Sequence, residues 1–326
     1  MTKLKKLTKY IPLLVPIALI SALIVNLLTL NTRPGAISAA YTGKGSYTFA
    51  WMSDTQYYSQ NAPEIFSTMT KWLANEAKSG RVKHLFHTGD VVNTRSDPTQ
   101  WQAAKNALIQ LDGVLNYTIA PGNHDLGKDK PDYTAYLENF GYVLNDPDRN
   151  IQSYGGGIVT AEQVEMGNTR FVILAVGYGA DKSALDWAGE YLTRHSGHTA
   201  ILLTHDYMKA DGRLSQNGKL LFEKLVRGHP SIKLVLCGHN PDTEKRLTAL
   251  DDNGDLQADR TVIQLLCDYQ ALPDGGGGYL RLITIDPKKK KLSVNTYSPY
   301  YDDYNCFEKE TFPDKDSFTL DISDWF

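Results

Sequence analysis

Gly122-Asn123-His124-Asp125 follows the short apolar run Tyr117–Ala120 and leads into polar residues, and its reading decides the fold. A strand ending in this tetrapeptide presents an amide oxygen, an imidazole and a carboxylate where the backbone leaves the sheet and a ligand can approach. Other apolar runs end in the same manner. Tyr47–Met52 runs into Asp54, Val82–Phe86 into Gly89-Asp90, Ala200–Leu203 into Thr204-His205, and Ile232–Cys237 into Gly238-His239. Strand tips that repeatedly carry metal-ligand residue types place one site at the edge of an α/β sheet.

The segments between these runs have helical periodicity. Asn61 and Glu64 form a candidate capping pair ahead of Ile65, Phe66, Met69, Trp72 and Leu73, and Gly80 closes that helix. Asp97-Pro98 opens a second helix with Trp101, Ala104, Leu108 and Leu111 on one face. This β-α-β-α-β order predicts parallel neighbours joined by right-handed crossovers. Farther on, residues 158–165 and 170–176 flank a hairpin turn at Met166-Gly167-Asn168-Thr169, and helices are expected over residues 183–195 and 216–227. The remainder is β-rich, with strands expected at 246–250, 261–267, 279–286 and 292–297. The expected class is α/β (α+β), a four-layer sandwich of two mixed β-sheets flanked by helices, forming one domain over residues 47–326.

Composition is that of a globular chain. Of 326 residues, 42% are hydrophobic and 22% charged, enough apolar side chains for a sizeable core. A formal charge of −3 provides no broad basic field, so no nucleic-acid partner is expected. Cys237 and Cys267 lie in apolar strand-like runs and read as buried thiols, and with Cys306 the count is too low for a disulfide scaffold. The N-terminus departs from this average. Lys3, Lys5, Lys6 and Lys9 precede an almost uncharged run from Ile11 to Leu30, followed by Ser38-Ala39-Ala40. A basic flank before an apolar run is an export signal, and about 20 residues suffice to span a bilayer. Residues 1–40 are expected to be a signal peptide or an N-terminal membrane anchor, and residues 41–46 a linker. The domain would then lie outside the cell membrane or be secreted.

Asp54, Asp90, Asn123, His205 and His239 together supply two carboxylates, an amide oxygen and two imidazoles. This mixture of hard oxygen and borderline nitrogen donors suits Mn, Fe or Zn better than Ca. So many converging ligands point to two divalent ions about 3.5–4 Å apart, an arrangement that clamps a phosphate ester.

The ordered segments Asp54-Thr55-Gln56, Gly89-Asp90, Gly122-Asn123-His124-Asp125, His205 and Gly238-His239-Asn240-Pro241 resemble the signature of the calcineurin-like metallophosphoesterase superfamily. That signature reads Asp-x-His, Gly-Asp, Gly-Asn-His-Asp, a lone His and Gly-His-x-His, and the likeness spans about residues 47–240. It implies that Asp90 bridges two ions, that Asn123, His205 and His239 complete one, and that Asp54 belongs to the other. Gln56 stands where the family has an imidazole, and its side-chain oxygen can coordinate. Pro241 stands where the final histidine would be and offers no donor, leaving Asn240, Asp242 or water to fill the position. The second ion is therefore expected to be the weaker. By the same likeness His124 is a catalytic residue that assists the leaving group rather than a ligand, a role suited to an imidazole. Asp125 is expected to hold its ring.

The remaining histidines, His84, His87, His195, His198 and His229, belong to no such constellation and are assigned to packing. The reading that follows is an exported metal-dependent phosphoesterase, in which a metal-bound hydroxide attacks a phosphate mono- or diester. The alternative is a catalytically weakened binding protein displayed at the surface on the same fold, motivated by Gln56 and Pro241.

Overall fold

Tyr47-Thr48-Phe49-Ala50-Trp51-Met52 forms the first strand, β1, and all six residues are buried. A strand buried on both sides belongs inside a sheet covered on both faces. The computed structural model describes residues 45–326, so the export segment expected at residues 1–40 and most of the 41–46 linker lie outside the described residues. Among the described residues no helix is long and apolar enough to cross a membrane.

After β1 the chain forms α1 (Gln56–Asn61), α2 (Pro63–Lys78), β2 (His84–His87), α3 (Pro98–Leu108) and β3 (Tyr117–Ile119). Strands β1, β2 and β3 pair in parallel, as the alternation predicts. Next come α4 (Asn123–Leu126), α5 (Thr134–Leu144), β4 (Ile151–Tyr154) and the hairpin β5 (Val159–Met166) and β6 (Thr169–Val176). Helix α6 (Lys182–Arg194) leads to β7 (Thr199–Thr204), and α7 (Gln216–Leu221) precedes β8 (Ile232–Cys237). The C-terminal part supplies β9 (Asp242–Leu250), β10 (Arg260–Asp268), β11 (Leu280–Asp286), β12 (Lys291–Ser298), β13 (Asp303–Tyr304) and β14 (Ser317–Asp321). One seven-stranded sheet has the order β13-β12-β11-β1-β2-β3, with β14 on β12, and the other has β4-β5-β6-β7-β8-β10-β9.

The sheets face each other across an apolar interior. Strand alternation sends Phe171, Ile173 and Ala175 of β6 inward against Phe49, Trp51 and Phe86. The intervening Val172, Leu174 and Val176 point outward, beneath Leu185 and Tyr191 of α6 and Leu221 of α7. On the opposite outer face, α2 sets Phe66 against the His87 ring and Trp72 against Tyr297, with ring centroids 6.5 Å and 5.1 Å apart. Each fully buried aliphatic or aromatic side chain contributes about 1.5–3 kcal/mol. The result is the expected four-layer sandwich.

Some boundaries differ from the sequence expectation. Asn61 does not cap the long helix; it ends α1, and α2 starts at Pro63, whose fixed φ and missing N–H suit a first turn. Strand β2 runs over His84–His87 instead of 82–86, because its register is set by Phe49 opposite His84 on one side and Tyr117 opposite Leu85 on the other. The helix expected over 216–227 is α-helical only to Leu221 and continues as a π turn over Phe222–Val226.

His84 and His87 pack inside the fold, as assigned. The His84 ring meets Thr118 Oγ1 at 2.9 Å and lies 3.8 Å from Glu162, which is held by Arg149. Burial pulls this imidazole down to about 4, against the attraction of Glu162. The folded state thus binds this proton less readily than the unfolded chain, whose imidazole titrates near 6.5. Its contribution to stability is complete above about pH 6.5 and is lost as pH falls toward about 4, by about 1.4 kcal/mol per pH unit. The urea midpoint of the wild type is expected to fall more steeply over this window than that of His84→Gln. Parallel pH profiles for the two proteins would contradict this assignment.

Candidate metal centre

Asp54 lies two residues beyond β1, Asp90 three beyond β2, and His239 two beyond β8, all with positive φ, at 53°, 54° and 75°. Non-glycine residues adopt this conformation infrequently, Asp and Asn more readily than most, and such backbone is enriched at functional sites. The restraints here are explicit. Asp54 N–H donates to Gly89 O at 2.9 Å, and the Asp54 carboxylate accepts from Ser53 Oγ at 2.5 Å and from His239 N–H at 3.1 Å. Ser53 Oγ accepts from Thr88 Oγ1 at 2.6 Å, which in turn accepts from Trp51 Nε1 at 3.0 Å.

His205, immediately beyond β7, is fully buried, and its Nδ1 lies 2.8 Å from Thr88 O. A carbonyl only accepts, so Nδ1 carries the hydrogen and Nε2 is turned toward the strand tips. Around Nε2 lie Asp90 Oδ2 at 3.2 Å, Asn123 Oδ1 at 3.1 Å and His239 Nδ1 at 3.1 Å. Asp90, His205 and His239 offer donor atoms that all lie within 4.8 Å of one another. Burial alone would suppress a proton on His205, but the charge and hydrogen bond of Asp90, together with Asp54 and the Thr88 carbonyl, raise this imidazole to about 10. Once the Nε2 proton of His205 is displaced, four lone-pair atoms in a mixed N/O set face one point, a set that fits a divalent ion.

Two glycines make this approach possible. A Cβ on Gly122 would overlap the Asp90 carboxylate, and one on Gly238 would overlap Ser53 Oγ and Asp54 Oδ2. The Gly of each motif is thus a packing requirement of the neighbouring carboxylate.

His124 is exposed beside this cluster. Its backbone N–H donates to Asp90 Oδ1 at 2.9 Å, and its ring Nδ1 donates to Asn93 O at 2.8 Å, leaving Nε2 free. Asp125 does not hold that ring as expected from the sequence. Its Oδ1 accepts from the N–H groups of Val91 and Val92 at 2.8 Å and 3.0 Å, and its Oδ2 from Gly122 N–H at 2.8 Å. Buried and saturated by backbone donors, Asp125 ties the Asp90 loop to the Gly122 turn; the ring is held by a backbone carbonyl that no side-chain pattern announces.

Gln56 is 1% exposed, and its Oε1 accepts no hydrogen bond from any described residue. Its Nε2 donates to Gln270 Oε1 at 2.5 Å. Neither neighbour of Pro241 fills the place of the absent imidazole. Asp242 is paired with Lys315 Nζ at 2.5 Å, and the Asn240 amide donates to Met208 O at 3.1 Å. A further carboxylate stands here that the sequence reading passed over. Asp268, the last residue of β10, is 2% exposed and lies close enough to raise the carboxyl of Asp54, which burial already lifts well above its ordinary range. Burial likewise pushes Asp268 up to about 6. The signal was present in the sequence: residues 262–267 are apolar except for Gln264 and stop at Asp268, a layout close to that of the other strand tips.

Comparison with known proteins bears on the family and the fold. A family profile described as calcineurin-like phosphoesterase matches residues 47–242. An uncharacterized Bacillus subtilis protein, YvnB, is 36% identical over 284 residues, which are 86% of this chain and 22% of that protein. The chain therefore spans about a fifth of that relative's length. Among solved structures, the purple acid phosphatase PPD1 from yellow lupin seeds is similar at TM-score 0.54 and 12% identity, over 85% of this chain and 54% of that one. GAP50, the anchor in the inner membrane complex of Plasmodium, is similar at TM-score 0.52 and 13% identity, over 85% of this chain and 89% of that one.

Proposed function

The chain belongs to the calcineurin-like phosphoesterases, and from that premise we propose that it is a metal-dependent enzyme that hydrolyses a phosphate mono- or diester. The observation that supports this most is the convergence of Asp90 Oδ2, Asn123 Oδ1 and His239 Nδ1 on His205 Nε2, each within about 3.2 Å. Asp90, Asn123, His205 and His239 would hold one ion, with Asp54 and Gln56 on the side of a second. Bound divalent ions would lower the pKa of water and neutralise phosphoryl charge.

The chain's own residues do the rest. Thr88 O orients His205, and Ser53 Oγ with His239 N–H orient Asp54, so the ligands are set before substrate arrives. His124, with Nδ1 committed to Asn93 O, offers only Nε2 to the departing oxygen. In the protonated ring that atom gives up the proton the alkoxide needs. Protein stripped of metal by chelation should be inert toward aryl phosphate mono- and diesters and regain turnover on addition of Mn. Turnover that survives chelation, or none with any of Mn, Fe or Zn, would overturn the proposal.

A second reading is favoured by Pro241, which removes a donor from the metal centre: a surface-displayed binding protein that retains the fold with little turnover. GAP50, an anchor in the inner membrane complex of Plasmodium, is a protein of similar fold. Bound metal without hydrolysis of any ester would select this alternative. Export of the domain rests on the Lys-flanked apolar run at residues 11–30. Protease added to intact cells should then reach the domain, and full protection there would count against export.

A further inference from the structure

We propose that Asp268 is a metal ligand of this chain, joining Asp54 and the Oε1 of Gln56 around a second cation position, with Gln270 as the residue that positions Gln56. This inference rests on the metal-dependent reading and extends it to Asp268 and Gln270, which lie outside the family motif.

The first ground is charge. Asp54, Asp90 and Asp268 are 1%, 2% and 2% exposed, and among the described residues no lysine or arginine forms an ion pair with any of them. His205 is the ion-pair partner of Asp90, while the Asp54 and Asp268 carboxylates receive only hydrogen bonds from neutral groups. Buried carboxylates are stable when paired or bound to a metal, and otherwise costly. The second ground is independent of charge. Gln56 Oε1 is a buried acceptor with no donor among the described residues, which is unfavourable unless another group satisfies it.

The hydrogen bonds decide which atom of Gln56 is left over. Asp268 accepts twice from Gln270, at Oδ1 from the backbone N–H at 2.9 Å and at Oδ2 from Nε2 at 2.8 Å. With its NH2 turned to Asp268, Gln270 must present Oε1 to Gln56, and Oε1 binds the Gln56 Nε2 at 2.5 Å. Gln56 therefore cannot flip, and its oxygen is the free atom. Strand pairing places the acid: β10 runs parallel to β8, with Leu266 opposite Cys237, so Asp268 and His239 each lie two residues beyond a matched pair. A carboxylate at that tip does what the chain's Pro241 cannot.

The test is Mn titration of metal-free protein, read by calorimetry and by electron paramagnetic resonance. Wild type should bind two ions per chain and show the signal of an exchange-coupled pair. Substitutions of outer partners typically weaken metal by about 10–100-fold, so Gln270→Met should fall in that range and Asp268→Asn beyond it. Asp268→Asn should leave a single tightly held ion with the six-line spectrum of isolated Mn. If Asp268→Asn does not fold, Asp268→Ser is read in the same titration. A coupled pair of wild-type affinity in either Asp268 variant overturns the ligand role. So does a weakening of Asp268→Asn no greater than that of Gln270→Met, which would make Asp268 a positioning residue. A wild type that binds no metal would instead overturn the metal-dependent reading itself.

Discussion

Asp90→Asn is expected to lose both metal and turnover while keeping the shape of the side chain. The carboxylate accepts His124 N–H at Oδ1 and faces His205 Nε2 at Oδ2, and it is 2% exposed. An asparagine has one acceptor for these two places, so its NH2 must point at one donor or displace it. The negative charge that would hold cations among buried imidazoles is also removed. Breaking a buried charge pair costs about 3–5 kcal/mol, and at about 1.4 kcal/mol per decade this corresponds to a loss of about 10²–10⁴-fold in metal affinity. Metal titration and kcat/KM after reconstitution are the measurements. Wild-type metal content together with wild-type turnover in Asp90→Asn would remove Asp90 from the centre.

His124→Ala should separate chemistry from metal binding. The ring touches the centre only through its own backbone, whose N–H to Asp90 survives the substitution. Metal affinity should therefore change little, whereas kcat should fall by about 10²–10⁴-fold if the ring delivers a proton. The discriminating measurement is a series of aryl esters. A leaving group stable as its anion needs no proton, so the loss should shrink as the leaving group improves. Equal losses on good and poor leaving groups would exclude the acid role, and loss of metal would point to a structural one. The ring's acceptor also matters: because Asn93 O fixes Nδ1, only Nε2 faces outward.

The fold was largely legible in the sequence because its strands are buried on both faces and read as continuous apolar runs. Strand β8 coincides with the run Ile232–Cys237, and β1 with Tyr47–Met52. The elements that escaped are those with weak local signals. Helix α1 is a single short stretch, and β14 alternates between exposed and half-buried residues at the side of β12. Asp125 was misjudged for a related reason: adjacency in sequence to His124 suggested a contact, but in the α4 turn its carboxylate points back to backbone N–H groups of residues 91, 92 and 122.

The sequence by itself determined the order of the strands and the ligand types at their tips, because hydrophobic period and the residue that breaks it are properties of a local stretch of backbone. Only the tertiary structure decided which of those polar groups meet. His239 N–H reaches Asp54 across 185 residues, and Gln56 reaches Gln270 across 214. Such pairs depend on the register of β8 with β10 and on how closely two sheets approach, down to the missing Cβ of Gly238. A one-residue slip in register would turn Asp268 to the other face of its strand, and no local pattern encodes that distance.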